Sequence, residues 1–267
     1  MSRASSPPKR TSPWLDGTPG PNHPPLAGAA RADVAVVGAG IAGLSTALLL
    51  AEAGRDVHVV EMDRVGAGAT GHTTAKVSSQ HGLIYATIAS RHGEGRARDY
   101  AEANQAALEL VARWVRERKI DCDWRRRDAY AYVLTPDARG QVEAEAETAA
   151  RLGLPAELVD ATPLPYPVEA AVRFRDQGEF DAYRYVAGLA KALVAAGGRI
   201  SEATRATGLS EGSPHELETD RGTVRADHVV VASHMPFLDR ALTFARATPE
   251  RSYSVAVRLR GLFKEFF

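Results

Sequence analysis

Residues 33–61 constrain the fold of this chain more than any other stretch. Asp33 to Val37 (DVAVV) is a short, largely β-branched apolar run closed by glycine, the pattern of a parallel strand buried on both faces. Ile41 to Ala53 follows with apolar residues at 41, 44, 47, 48 and 51, which is helical spacing, and Gly54 is placed to end that helix. Val57 to Glu61 (VHVVE) reads as the next strand. Together they make a βαβ unit of about 30 residues. A chain built on such a unit needs a parallel sheet with helices packed on it, so the expected fold class is α/β.

The turn inside this unit is Gly38-Ala39-Gly40-Ile41-Ala42-Gly43. Glycine-rich turns are common, but this one follows a strand, opens a helix and has an acid at the end of the next strand. In that context it is a dinucleotide-binding fingerprint. Gly38 serves the tight turn, Gly40 the approach of a pyrophosphate, and Gly43 the close packing of helix on strand. The helix N-terminus at Ile41 and Ala42 offers backbone N–H groups and the positive end of the helix dipole to phosphates. Glu61, 23 positions after Gly38, suits the two ribose hydroxyls of an adenosine and would repel a 2′-phosphate, which disfavours NADP. A structural glycine turn beside a solvated glutamate is the plain alternative.

FAD and NAD share this fingerprint, so later segments have to separate them. Residues 66–76 (GAGATGHTTAK) form a glycine- and threonine-rich stretch suited to passing close to a flavin, whereas an NAD-dependent dehydrogenase usually continues with another βα unit. A late strand, His228 to Ala232 (HVVVA), suits a return of the chain beneath the pyrophosphate. Read alone, the first is equally a surface loop and the second an ordinary buried strand.

Charge and cysteine content exclude several other functions. Acidic and basic residues balance at 33 each, so no net field favours nucleic acid or an anionic membrane. The one cysteine, Cys122, rules out an internal disulfide or a thiolate-rich metal centre, and no metal site is expected. No apolar run is long enough for a membrane span, and no apolar segment follows Arg3, Lys9 and Arg10 to make a secretory signal. A cytoplasmic location is the expectation. Residues 1–30 hold seven of the fifteen prolines and read as an irregular arm, with Trp14 and Leu15 available to pin it to the body.

Elsewhere, helices are expected from Tyr100 to Arg118, over an exposed 136–152 segment, and from Phe180 to Gly197. A strand is expected at Ala129 to Leu134, and short antiparallel strands at Ala206–Leu209, Glu216–Thr219 and Thr223–Arg225. The middle section lacks parallel-sheet character and reads as an insertion.

The combination of glycine fingerprint, terminal acid, GAGATG loop and late strand resembles the FAD-dependent glycine/D-amino-acid oxidase family. The blocks SPWLDG at 12–17, TGHTTAKVSSQHGLIY at 70–85, IDCDWRRRDAYAYV at 120–133, DQGEFDAYRYVAGL at 176–189 and VVVASHMPF at 229–237 resemble its subgroup that carries a C-terminal Rieske domain. One cysteine cannot supply such a domain here. The late strand ends Ala232-Ser233-His234 where the wider family has Ala-Thr-Gly, and the family's second glycine-rich segment does not precede Phe267.

The resemblance implies FAD as the cofactor and a small amine or amino acid as the substrate, with an unknown electron acceptor. The expected cofactor residues are Gly38, Gly40, Ile41, Ala42, Gly43, Glu61, Thr70, Gly71, Thr73, Thr74 and Ala232. No catalytic residue is assigned, since a flavin itself accepts the hydride. Lys76, His81 and the run Arg125, Arg126, Arg127 could face the flavin or a substrate carboxylate, or simply be solvated. Tyr130, Tyr132, Tyr183 and Tyr185 read as core or lid, and His72 as a candidate for a covalent flavin link.

The expected organisation is a Rossmann-like FAD-binding domain with an inserted α+β substrate-side domain. An irregular arm takes 1–26, the FAD-binding domain 27–90 and 173–245, and the substrate-side domain 91–172. Residues 246–267 would begin an incomplete return, with a strand from Tyr253 to Leu259, so that a truncated chain or one completed by a partner chain is expected. The alternatives to a flavin-dependent oxidoreductase are a non-catalytic FAD-binding remnant and an NAD-dependent dehydrogenase.

Overall fold

The computed structural model describes residues 11–17, 20–235, 237–238, 243–246, 248 and 250. The expected strand from Tyr253 to Leu259, and with it the reading of the tail, lies outside the described residues. The chain divides into two compact units. Among the described residues, one combines those up to Thr74 with those from Ala182 to Glu250, and the other is Ala75–Asp181.

The first unit holds a six-stranded sheet. Strands β1 (Gly28–Val37) and β2 (Val57–Val60) flank helix α1 (Ile41–Glu52), as the apolar spacing predicts. Their residues Val34, Ala35, Val36, Val57 and Val59 are fully or almost fully buried, as are Leu44, Ala47 and Leu48 of α1. Two-sided burial is what selects β-branched residues here, because their restricted χ1 suits a pleated surface. Of the later elements, β7 (Arg199–Ser201) adds to β2, and β10 (Gly222–Val231) lies parallel to β1 on its other side. Strands β8 (Ala206–Ser210) and β9 (His215–Thr219) complete the order β7-β2-β1-β10-β9-β8 as an antiparallel meander. Helix α5 (Ala182–Ala195) packs beside α1, burying Tyr183, Tyr185, Val186, Leu189 and Leu193.

Two strands differ from the sequence reading. β1 begins five residues earlier than the apolar run, because Gly28–Ala32 pairs with Gly222–Ala226 while its mostly exposed side chains carry no apolar signal. β10 unites Thr223–Arg225 with the later HVVV run as one strand, and that run is less buried than expected: Asp227 and His228 are exposed and Val231 is 40% exposed.

The second unit is antiparallel. Its sheet has the order β3-β6-β4, from β3 (Lys76–Val77), β6 (Ala170–Glu179) and β4 (Arg125–Val133), and β5 (Ala156–Val159) also pairs with β6. Helices α2 (Tyr85–His92), α3 (Glu94–Glu117) and α4 (Arg139–Arg151) accompany it. Val142, Ala146 and Ala149 of α4 pack with Val172, Phe174 and Tyr85 in the core. α4 is therefore not the exposed helix its composition suggests: Glu145 is fully buried, and its carboxylate accepts the Tyr85 and Ala86 N–H groups at 2.9 and 2.8 Å, capping α2. The unit boundaries at Thr74/Ala75 and Asp181/Ala182 differ from the expected 90/91 and 172/173. The reason is pairing. Lys76 and Val77 pair with Glu179 and Gly178, so the segments on either side of the expected junctions belong to one sheet. No helix among the described residues is long and apolar enough to cross a membrane.

Candidate functional site

The candidate site lies at the C-terminal ends of β1, β2 and β10, where α1 begins. Gly38 N–H donates to the Val60 carbonyl and Ala232 N–H to the Val37 carbonyl, both at 2.8 Å, so the three strand ends are held in register around the turn. Gly38 has φ +104°, and a Cβ there would lie 2.6 Å from the Ala232 carbonyl oxygen. A Cβ on Gly43 would overlap the Gly38 carbonyl oxygen. Both glycines are thus demanded by the protein's own packing.

Gly40 is different. Its φ of −85° and ψ of −172° are open to any residue. A Cβ there would meet only the Thr70 hydroxyl, at 3.1 Å. Neither backbone strain nor a backbone neighbour requires glycine at this position. What glycine provides is a bare stretch of main chain at a helix N-terminus, where the first N–H groups have no partner within the helix. This is the cradle a phosphate group fits.

Glu61 continues from β2. Its N–H donates to the Ser201 carbonyl and its carbonyl accepts the Thr204 N–H, each at 2.8 Å. One carboxylate oxygen accepts the Ala39 N–H at 2.7 Å and the other the Asp63 N–H at 3.0 Å. The acid therefore ties the glycine turn to the end of β2. A carboxylate offers about four acceptor positions, so two backbone donors leave room for ribose hydroxyls.

The glycine- and threonine-rich segment closes on this turn. Gly66 N–H donates to the Ala39 carbonyl at 3.0 Å, and a 3-10 turn, Ala69–His72, brings the Thr70 hydroxyl to the Ile41 N–H at 3.2 Å. Gly71 is buried, with the Gly66 carbonyl oxygen 2.5 Å from where its Cβ would stand. Of the threonines grouped by sequence, Thr70 is the one brought to the helix. Thr73 is engaged through its carbonyl by the Trp14 indole N–H at 2.8 Å, and Thr74 is exposed at the edge of the unit. His72 is exposed, its Nδ1 2.9 Å from the Gly68 carbonyl oxygen.

The remaining candidates belong to the second unit or to the core of the first. Lys76 is exposed on β3, opposite Glu179. His81 is exposed and shares a hydrogen bond with the Tyr100 hydroxyl at 3.0 Å. The arginine run is ion-paired: Arg126 to Glu109 at 2.8 Å, and Arg125 and Arg127 to Glu179 at 3.9 and 3.4 Å. Arg126 and Arg127 line an open hollow of about 500 Å³ with Asp128, Pro155, Arg175 and Asp176. Tyr183 and Tyr185 are core residues of the first unit and Tyr130 is buried in the second, while Tyr132 hydrogen-bonds Tyr166.

Sequence reasoning missed the support behind Glu61. Glu202, only 4% exposed, accepts the Val65 N–H at 2.6 Å and the His23 N–H at 2.7 Å. The Thr204 hydroxyl accepts the Leu26 N–H at 3.0 Å. These bonds fix the loop that leaves Glu61, together with the arm. An acid directly after a short strand was the only signal available.

Comparison with known proteins identifies the family. The family described as FAD dependent oxidoreductase matches residues 33–265. A putative Rieske 2Fe-2S iron-sulfur protein, YhfW of Bacillus subtilis, is 35% identical over 247 residues, covering 92% of this chain and 48% of that protein. The gamma-glutamylputrescine oxidoreductase of Escherichia coli is 30% identical over 208 residues, covering 76% of this chain and 49% of that protein. The chain spans about half the length of these curated relatives. Among solved structures, glycine oxidase from Geobacillus kaustophilus superposes with a TM-score of 0.59 at 24% identity, covering 76% of this chain and 55% of that one. L-Amino acid deaminase from Proteus myxofaciens superposes with a TM-score of 0.67 at 19% identity, covering 81% and 48%. These likenesses carry the fold, and the family match sets aside the NAD-dependent alternative. With its glycine turn, strand-end acid and closing loop, this chain belongs to the FAD-dependent oxidoreductase family.

Proposed function

We propose that the first unit binds FAD along the Gly38–Gly43 turn and that the protein oxidises a small amine or amino acid. The observation that carries the binding reading is Gly40, where neither backbone strain nor any backbone atom demands glycine and a side chain would press only on the rotatable Thr70 hydroxyl, at 3.1 Å. In this reading the Ala42 N–H and the bare Gly40 main chain receive the pyrophosphate, Glu61 receives the adenosine ribose, and the Thr70 hydroxyl, which accepts the Ile41 N–H, lies beside the phosphates with Gly71. Gly38, Gly43 and Ala232 hold the main chain in the shape that permits this. Thr73 and Thr74 contribute through the run of the loop rather than through contacts to the helix. When bound, the flavin supplies a two-electron acceptor for hydride, so that no protein base has to be assigned.

The substrate class rests on the gamma-glutamylputrescine oxidoreductase relative, whose name places its chemistry on an amine. The test is anaerobic mixing of the FAD-loaded protein with a panel of primary amines, secondary amines and amino acids, followed by flavin absorbance. Bleaching by one class is the expected result. Flavin that stays oxidised with every member would favour the other reading, an FAD-binding protein without turnover of its own.

A further inference from the structure

The loop that carries Thr70 is anchored by the N-terminal arm, through the two side chains the sequence offers for pinning it, Trp14 and Leu15. Residues 12–17 form a compact turn: the Ser12 carbonyl accepts the Leu15 and Asp16 N–H groups at 3.1 Å, and the Ser12 hydroxyl accepts the Trp14 N–H at 3.3 Å. This turn presents two side chains to one target. The Trp14 indole N–H donates to the Thr73 carbonyl across 59 positions of sequence, at 2.8 Å. The Leu15 methyl carbons stand 3.0 and 3.2 Å from where a Cβ of Gly71 would be, so Leu15 packs directly on the bare Gly71 main chain.

Between these two contacts and Gly66 runs the 3-10 turn with Thr70. At its start the loop is tied to the glycine turn by Gly66 N–H on the Ala39 carbonyl. Residues 68, 69, 72 and 74 are exposed, while Gly71 is buried beneath Leu15 and α5 also touches the 3-10 turn, so the turn is held between the arm and the body of the first unit. We infer that Trp14, with Leu15, is a positioning residue for the cofactor site: it tethers the far end of the loop so that the Thr70 hydroxyl sits over the Ile41 N–H. The inference rests on the FAD-binding reading for its functional meaning, though the tether itself is independent of it.

A purely structural Trp14 and a positioning Trp14 give different double-mutant results. FAD affinity is measured by fluorescence titration for the full chain, Trp14→Phe, Thr70→Val and the double variant. Losing one hydrogen bond of ordinary net strength should raise the Kd of Trp14→Phe about two- to tenfold. If Trp14 acts through Thr70, the double variant should match Thr70→Val alone. Effects that multiply, or a Trp14→Phe affinity equal to that of the unaltered chain, would overturn the inference. Hydrogen exchange at the 66–73 amides without FAD reads the tether separately. Faster exchange in Trp14→Phe supports it, and unchanged exchange overturns it. Failure of the unaltered chain to bind FAD would refute the proposed function instead, leaving the exchange result to decide the tether.

Discussion

Two glycines three residues apart should fail in opposite ways when given a methyl group. At Gly43 the new Cβ would overlap the Gly38 carbonyl oxygen, a backbone atom that cannot rotate away. Overpacking of this kind costs about 1–3 kcal/mol or more, and each kcal/mol lowers the melting temperature by roughly 2–4 °C in a chain of this size. Gly43→Ala should therefore melt several degrees early even without cofactor. At Gly40 the backbone is already extended, and the new Cβ would meet only the tip of Thr70. Reduced freedom in the unfolded chain returns about 0.4–1 kcal/mol, so Gly40→Ala should melt within a degree or two of the unaltered protein. Its cost appears on binding. A methyl in the path of the pyrophosphate, at about 1–3 kcal/mol, weakens FAD roughly five- to a hundredfold. Thermal melts without FAD and fluorescence titrations with it separate the two quantities. Gly40→Ala that binds FAD normally, or that melts as early as Gly43→Ala, would refute the assignment of Gly40 to the ligand.

Glu61→Ala removes the acceptor of the Ala39 N–H as well as the proposed ribose contact, and charge-assisted bonds contribute about 1.5–3 kcal/mol. FAD affinity should fall roughly ten- to a hundredfold by titration, and unchanged affinity would place the adenosine elsewhere. His58 is buried beside the Ser201 hydroxyl, and its pKa is lowered from 6.5 to about 4, first by burial and then by Arg199. The folded protein thus prefers the neutral ring. The stability this contributes is fully present above about pH 6.5 and is lost as pH falls toward 4, by about 3 kcal/mol in all. Denaturant melts from pH 7 to 4.5 should show this fall, and His58→Gln should flatten it. Glu145→Ala strips the Tyr85 and Ala86 N–H groups of their buried acceptor and should cost about 1–3 kcal/mol for each, read as an early melt.

The parts of the fold most legible in the sequence are those whose burial is two-sided or whose geometry excludes every residue but glycine. DVAVV and VHVV, and the Gly38 and Gly43 positions of the turn, meet that condition, while α1 declares itself by the 3.6-residue spacing of its buried stripe, and each sits where the pattern places it. The first half of β1 was invisible because its side chains are mostly exposed and only its hydrogen bonds make it a strand. The full burial of Glu145 was hidden by composition, since a capping acid and a solvated acid are the same letter. The unit boundaries were misplaced because pairing of Lys76 with Glu179 joins residues 103 positions apart, which no local pattern records. Within the site, Gly38, Gly40, Gly43, Glu61 and Thr70 come together as a group. Glu202 and Thr204 support that group from distant positions, through hydrogen bonds with the His23, Val65 and Leu26 N–H groups and the Glu61 carbonyl that leave no trace in periodicity.

Cofactor selectivity of the purified chain tests the central claim most directly. The protein is titrated separately with FAD, FMN and NAD, and any pigment already present is released with acid and identified. FAD binding tighter than FMN or NAD, with FAD as the released pigment, is the expected result, because the glycine turn and Glu61 address the adenosine half and its pyrophosphate. A colourless protein that takes up NAD, or one that binds FMN as tightly as FAD, would contradict it.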